Sequence, residues 1–296
     1  MGEALQNVFS MFLIMMASYV LMKKAPYPVE VINTLVFNFF LPVTTFYSIA
    51  RLQKIPAGEL LLLTATGFIT LCAVYLFSIV IARMSGLKGE FRKTFLLGAT
   101  YGNQVFLGVP VCYAFLGEQG TVAALFFALG GYLFLYGVGT YIMTGRATPA
   151  AVFKNPLIIS MALGILCVAF RFPIPSLLSH TFSLMNTATF PLSMMVVGGG
   201  LKFRFFIDST RMAQTLYASG IKLIISPLLA WGICLALGLT RDQLGVSILQ
   251  SAMPTAVLVT IFSVKYGADP IFSNAIVSLT TLVGMATIPV LFFLLK

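Results

Sequence analysis

The sequence predicts an all-α membrane protein of ten transmembrane helices, arranged as two inverted sets of five. Three observations carry this. Of 296 residues, 59% are hydrophobic and 9% charged, where a soluble domain is about a quarter charged. The apolar residues spread along the whole chain instead of gathering in one tail. They fall into runs of roughly 20, the length that crosses a hydrocarbon core, and the gaps between them hold the charges and turn residues.

The runs cover 5–22, 31–50, 60–82, 94–116, 121–144, 156–171, 178–201, 212–238, 243–264 and 271–295. The first is preceded by Glu3 and followed by Lys23-Lys24, the wrong polarity for a cleaved leader, so it is expected to remain as a span. The second contains Pro42 and the third has no charge. The fourth is interrupted by GNQVFLGVP, residues 102–110, with two glycines, two amides and a proline. The seventh contains Pro191, begins near His180, the single histidine, and ends in Gly198-Gly199-Gly200. That triplet suits close packing, a flexible end or a hinge, and His180 reads as an interfacial side chain. Trp231 and the phenylalanines read as ordinary membrane-helix residues.

The net charge of +10 does not point to nucleic acid. The basic residues lie in the gaps, with no basic stripe interleaved with aromatics, and there they set topology. Gaps on one side hold twelve Lys and Arg, the other side five, with Lys222 inside the eighth run. That bias places both termini outside the cytoplasm of a multi-pass cell-membrane protein. Cys72, Cys112, Cys167 and Cys234 each sit in an apolar run without a CxxC pair, so they read as small buried hydrophobes. No cofactor or metal site is expected.

Landmarks recur between residues 1–145 and 146–296. Pro42 and Pro191 are 149 residues apart, Pro110 and Pro254 are 144 apart, and Arg51 and Lys202 are 151 apart. Five spans per half make the halves antiparallel, the inverted-repeat design of many secondary transporters. A proline inside a helix removes a hydrogen bond and clashes with the carbonyl one turn back. In hydrocarbon such a break is tolerated where it faces protein or a water-filled cavity. Paired breaks in the two halves therefore mark a binding site near Gly102, Asn103, Gln104, Gly108 and Pro110 in one half and Gln250, Ser251, Pro254 and Thr255 in the other.

A broken helix exposes a half-helix N-terminus, whose free N–H groups and positive dipole end attract anions. Asn103, Gln104 and Gln250 add amide donors for a carboxylate, while their carbonyl oxygens could instead join unwound backbone around a cation. The carboxylates are Glu3, Glu30, Glu59, Glu90, Glu118, Asp208, Asp242 and Asp269, each in a gap or at a span end. No acid sits at mid-membrane as a proton carrier or strong sodium ligand, which leaves at most a weak sodium site of carbonyls, amides and hydroxyls. Lys222 has three readings: a structural tether, an electrostatic partner for the anion, or a side chain that snorkels to the interface. An enzyme would need paired carboxylates, His plus acid, or metal ligands, and only a Ser–Lys pair with Lys222 remains. A channel would show no alternating access.

The chain resembles the auxin efflux carrier family of membrane transporters. The likeness lies in INTLVFNFFLPVTTFYSIA, in GNQVFLGVP, in IKLIISP and in SAMPTAVLVTIFSVKYGADP. It implies the fold of bile-acid symporters and sodium/proton antiporters, with spans 4 and 9 broken and crossing. Spans 1, 2, 6 and 7 would form a scaffold that pairs into a homodimer, and spans 3–5 and 8–10 a bundle that moves as an elevator. It implies secondary transport of a small organic anion, with Asn103 at the crossing against its carboxylate. A sodium-coupled symporter of the bile-acid type is the same-class rival; coupling by a proton or a weakly held sodium ion stays open. The short segment 146–155 and an uncharged third span depart from the plant exporters. Both match compact prokaryotic members, to which dicarboxylate or malonate transport is ascribed.

Overall fold

A computed structural model describes residues 2–54, 56–202 and 209–295. Arg204, Asp208 and Lys296, and the side chain of Glu3, lie outside the described residues. The described chain is helical, with no strand. The helices run α1 Gly2–Lys24, α2 Val29–Leu35, α3 Leu41–Ala50, α4 Ala57–Met84, α5 Gly89–Thr100, α6 Val109–Phe134 and α7 Thr140–Thr144. They continue as α8 Pro156–Ala169, α9 Ser176–Gly199, α10 Ser209–Gly220, α11 Ser226–Ala236, α12 Arg241–Ser251, α13 Val257–Lys265 and α14 Pro270–Leu295.

Four joins between these helices are π-helical turns, and three of them, all but Leu135–Gly139, have a common cause. The turns Val36–Phe40, Gln104–Gly108 and Ile221–Ile225 each end two residues before a proline, namely Pro42, Pro110 and Pro227. The proline cannot donate to the carbonyl one turn back, and a widened turn relieves the clash without ending the helix. Pro110 is therefore no break. The chain leaves helical geometry earlier, at Tyr101–Asn103, where Tyr101 is extended (φ −88°, ψ 114°) and Asn103 is non-helical (φ −78°, ψ 62°). The second break, Ala252–Ala256, does contain Pro254.

Six helical stretches are long and apolar enough to cross a membrane: Gln6–Lys24, Val29–Ala50, Ala57–Met84, Gln104–Thr144, Arg211–Ala236 and Pro270–Leu295. The ten sequence runs map onto fewer continuous helices for local reasons. The fourth and ninth runs are cut by the breaks. The helix that holds the start of the fourth run begins at Gly89, five residues before the expected edge, and so takes in Arg92 and Lys93. The fourth and fifth runs join in Gln104–Thr144, which folds back on itself at Leu116 (φ −134°) and Gly117 (φ 61°). A positive φ of this kind is cheap for glycine. A Cβ on Gly120 would overlap the Cys112 carbonyl, and one on Gly131 would overlap the Gln104 amide. Those two pairs make the arms an antiparallel hairpin.

Local signals set the other ends. Asn155 Oδ1 accepts from Leu157 N (2.9 Å) ahead of Pro156 at the start of α8, and Thr240 and Gln243 form a reciprocal capping box on α12. α7 stops at Gly145 in the left-handed conformation. Asp269 Oδ1 accepts from Ile271 N and Phe272 N, both at 2.9 Å, to open α14. Two sets of helices pack internally. α1 lies on α9, and α3 on α8 and α9; α4 lies on α6 and α5, α12 on α6 and α11, and α10 and α13 on α14. α4 and α6 touch backbone to backbone, since a Cβ on Gly67 or Gly130 would strike Phe127 O or Thr64 O. Membrane helices associate through small residues in this way, because packing has to replace the hydrophobic drive. The two sets meet where α9 contacts the Gln104–Gly108 turn and where α1 and α3 contact α6.

Candidate functional site

The two breaks meet in the interior. Gly102 and Thr255 face each other as one antiparallel bridge. Asn103 N donates to Pro254 O (2.7 Å) and Ala256 N donates to Tyr101 O (3.1 Å). The pattern has local two-fold symmetry, since in each segment the residue after the pivot donates to the residue before the other pivot. Four backbone groups freed by the breaks are satisfied without water, as an apolar surround requires.

Each segment then starts a new helix. Asn103 caps the stretch that begins at Gln104, and its carbonyl accepts from Gly108 N (3.0 Å). Ala256 caps α13, and its carbonyl accepts from Val259 N (3.0 Å). The first N–H groups of a helix have no acceptor within it. Both N-termini border one small cavity, of about 20 Å³, lined by Asn103, Gln104 and Phe106 from one break and Ala256, Val257 and Leu258 from the other. Its remaining walls are Tyr101, Tyr132, Asn33 of α2, and Val196 and Val197 of α9. Two positive helix ends, three amide residues and two tyrosine rings line this space, and no carboxylate does among the described residues. Four break carbonyls, those of Tyr101, Gly102, Asn103 and Pro254, already accept hydrogen bonds. The arrangement therefore suits an anion better than a bare cation.

The expected site residues separate into two groups. Gly102, Asn103 and Gln104 line the cavity. Asn103 is 5% exposed, and neither side-chain atom of Gln104 has a hydrogen-bond partner in the protein. A buried amide in that state is unusual; the Gln104 amide packs against Gly131, and Gln250 Oε1 is likewise without a partner. Gln250 and Thr255, expected to touch substrate, line no part of it. Gln250 Nε2 donates to Ala124 O (3.4 Å), and its Oε1 lies against Gly108, where a Cβ would overlap it. Thr255 Oγ1 donates to Gly98 O (2.7 Å) at the end of α5, and Thr255 N donates to Thr280 Oγ1 (3.1 Å). Asn33 joins the site although sequence reading passed over it. The signal was an amide in the short helix VEVINTL, beside Thr34 and one turn after Glu30.

Lys222 is fully buried, so it does not snorkel. Nζ donates to Ser251 O (2.6 Å) and approaches Ser226 Oγ (3.3 Å), while Ser226 Oγ also donates to Ser251 O (2.9 Å). The ammonium thus closes the C-terminal, negative end of α12. A Cβ on Gly102 would lie 2.8 Å from Lys222 Cε and 3.1 Å from Met253 O, so glycine is what lets the breaks and the lysine stem share one space. His180 is exposed on α9.

The sequence profile described as "Membrane transport protein" matches residues 3–153 and 148–292. An uncharacterized transporter of Methanothermobacter thermautotrophicus is 27% identical, over 87% of this chain and 86% of its own. A Rhizobium meliloti protein named "Putative malonate transporter" is 24% identical across 100% of this chain and 97% of its own. Auxin efflux carrier component 7 of Arabidopsis thaliana is 24% identical over 45% of this chain and 21% of its own. With both profile matches together spanning nearly the whole sequence, the chain belongs to the membrane transport protein family, the family of the auxin efflux carriers.

Proposed function

We propose that the chain is a secondary transporter of small organic anions, carboxylates such as malate, malonate or auxin-like acids. The substrate carboxylate is held where the two breaks meet, by Asn103, Gln104 and the N–H groups at the two helix starts, with Gly102 allowing the close approach. Gln250 and Thr255 support the site from behind. The observation that carries this is the pair of opposed half-helix N-termini on one cavity that no carboxylate lines. The malonate name of the Rhizobium meliloti relative agrees with that chemistry.

The same reading takes the fold as ten spans in two inverted halves, 1–145 and 146–296. The local two-fold pattern of hydrogen bonds at the breaks supports it, and so does the hairpin turn at Leu116–Gly117, which separates spans 4 and 5. Spans 1, 2, 6 and 7 act as scaffold, and as the face of a homodimer, while spans 3–5 and 8–10 move as an elevator. The internal packing of α1, α3, α8 and α9 as a set supports the division. A cavity of about 20 Å³ holds a water, not a dicarboxylate. Loading requires Asn33, Val196 and Val197 on the scaffold side to draw away from the breaks. Both termini lie outside the cytoplasm by the basic-residue bias.

The test is charge movement in proteoliposomes after a rapid pulse of malate, malonate, succinate, indole acetate or a bile acid, without an ion gradient. A negative displacement with one class, absent in Asn103→Ala, is expected. Full activity in Asn103→Ala removes that residue from the site. A signal that needs sodium favours the sodium-coupled symporter.

A further inference from the structure

A second polar cavity, of about 400 Å³, opens on the face that collects the basic residues. Tyr75 of α4, Arg92 and Lys93 of α5, and Tyr141 and Thr144 of α7 line it, over an apolar floor of Leu96. It sits beside the first turns of α5 and the end of α7, where the chain leaves the membrane at Gly145.

Its two cations have no counter-charge. Arg92 and Lys93 are half-buried, and neither has an ion-pair partner among the described residues. Arg51 pairs with Glu118, and Arg211 with Asp269, each at 3.7 Å. Glu90 is exposed and lines no part of the cavity. Adjacent cations repel, more so when partly withdrawn from water. Topology alone needs Lys and Arg on this face, but in water rather than around a pocket. A guanidinium fork, an ammonium and the two tyrosine hydroxyls form a donor set matched to the tetrahedral oxygens of a phosphate, while the Thr144 hydroxyl donates to the Thr140 and Arg146 carbonyls.

We propose that this cavity binds a phosphate group, that of an anionic phospholipid headgroup seated at the membrane edge between α4, α5 and α7. Leu96 lies where the glycerol end of such a lipid would pass. Negatively charged lipid attracts basic segments at this depth, and tyrosine favours the same interfacial level.

The experiment is thermal unfolding of the purified full chain in neutral detergent, titrated with short-chain phosphatidylglycerol, short-chain phosphatidylcholine or free glycerol phosphate. Phosphatidylglycerol at about 100 times its Kd is expected to raise Tm by on the order of 5 °C, with phosphatidylcholine well below it. The double variant Arg92→Gln/Lys93→Gln should lose that rise. Arg83→Gln/Lys88→Gln, which removes two charges from the same face outside the cavity, should keep it. If the first double variant does not fold, the single variants carry the test, and each should weaken binding by roughly fivefold. Glycerol phosphate acting as strongly as the lipid supports the phosphate site with a soluble ligand as its source. No rise in the wild type, or an equal loss in both double variants, overturns the proposal.

Discussion

The two breaks share a backbone pattern and differ in how their negative ends are closed. At the end of α5 the Gly98 carbonyl takes a neutral hydroxyl, Thr255 Oγ1 at 2.7 Å. At the end of α12 the Ser251 carbonyl takes a buried ammonium, Lys222 Nζ at 2.6 Å, and a second bond from Ser226. A helix C-terminus carries about half a negative charge, and a cation there is worth more than a hydroxyl. The positive ends are also unequal. Asn103 stands at the N-cap position of one and Ala256 at that of the other, and neither side chain bonds the first turn, so the two starts differ by an amide against a methyl. A symmetric backbone thus holds an asymmetric pair of breaks, with charge compensation at the second and, on the proposed reading, recognition at the first.

That contrast is broken most sharply by two alanines. Asn103→Ala should cut transport on the order of 100-fold or more, the cost of losing one donor aimed at a charge, with Tm little changed. Thr255→Ala should do the reverse. It removes the bond to Gly98 O, lowers stability by about 1–2 kcal/mol and leaves substrate affinity intact. Transport assays paired with thermal unfolding read both. Equal loss of transport in the two variants would mean that the breaks share recognition.

Lys222→Met tests the charged end alone. The variant keeps the stem volume beside Gly102 and deletes the donor to Ser251 O. About 1.5–3 kcal/mol of stability should go, the range for a hydrogen bond to a charged group, while the substrate Kd stays within twofold. An unchanged Tm with weakened binding would make Lys222 a partner of the anion rather than of α12. Gly102→Ala should cost about 1–3 kcal/mol for the related reason that its methyl meets Lys222 Cε and Met253 O. Pairing it with Lys222→Met should recover little, because the Met253 carbonyl stays in place.

How much of this was legible in the sequence follows from what each residue signals along the chain. Pro254, Gly102 and Asn103 could be found because proline, glycine and amides interrupt an apolar run. Orientation about the break could not. Thr255 and Gln250 looked like ligands for being polar and near Pro254, yet the chain turns them toward Gly98 and Ala124. A polar residue at an unwound segment is as useful for closing a neighbouring helix as for holding substrate, and composition does not distinguish the two. Asn33 failed to register because the residues it shares the cavity with, from Tyr101 to Ile261, are all distant along the chain. The long runs were legible by length and hydropathy, but among the described residues six helices, not ten, meet those criteria as continuous elements. Breaks, π turns and the reversal at Gly117 depend on backbone angles that apolar periodicity does not record.

The smallest expected effect sharpens where the first break begins. Sequence reading centred it on Pro110, whereas helical geometry is lost at Tyr101–Asn103, seven residues before the proline. If Gly102 and the bonds of Asn103 to Pro254 and of Ala256 to Tyr101 create the break, Pro110→Ala leaves it standing. The variant regains an N–H that can donate one turn back, and the Gln104–Gly108 π turn is free to tighten toward an α-helix. Stability should move by no more than about 1 kcal/mol, the scale of one net hydrogen bond, and transport should stay within severalfold of wild type. The proposed site uses the N–H groups at the start of this stretch, and those are set by the Asn103 backbone, which bonds Pro254 O and Gly108 N. Loss of transport in a folded Pro110→Ala protein would instead assign the π turn a part in aiming those groups. The comparison would then run between two prolines, as the sequence first suggested, rather than between an amide and a lysine.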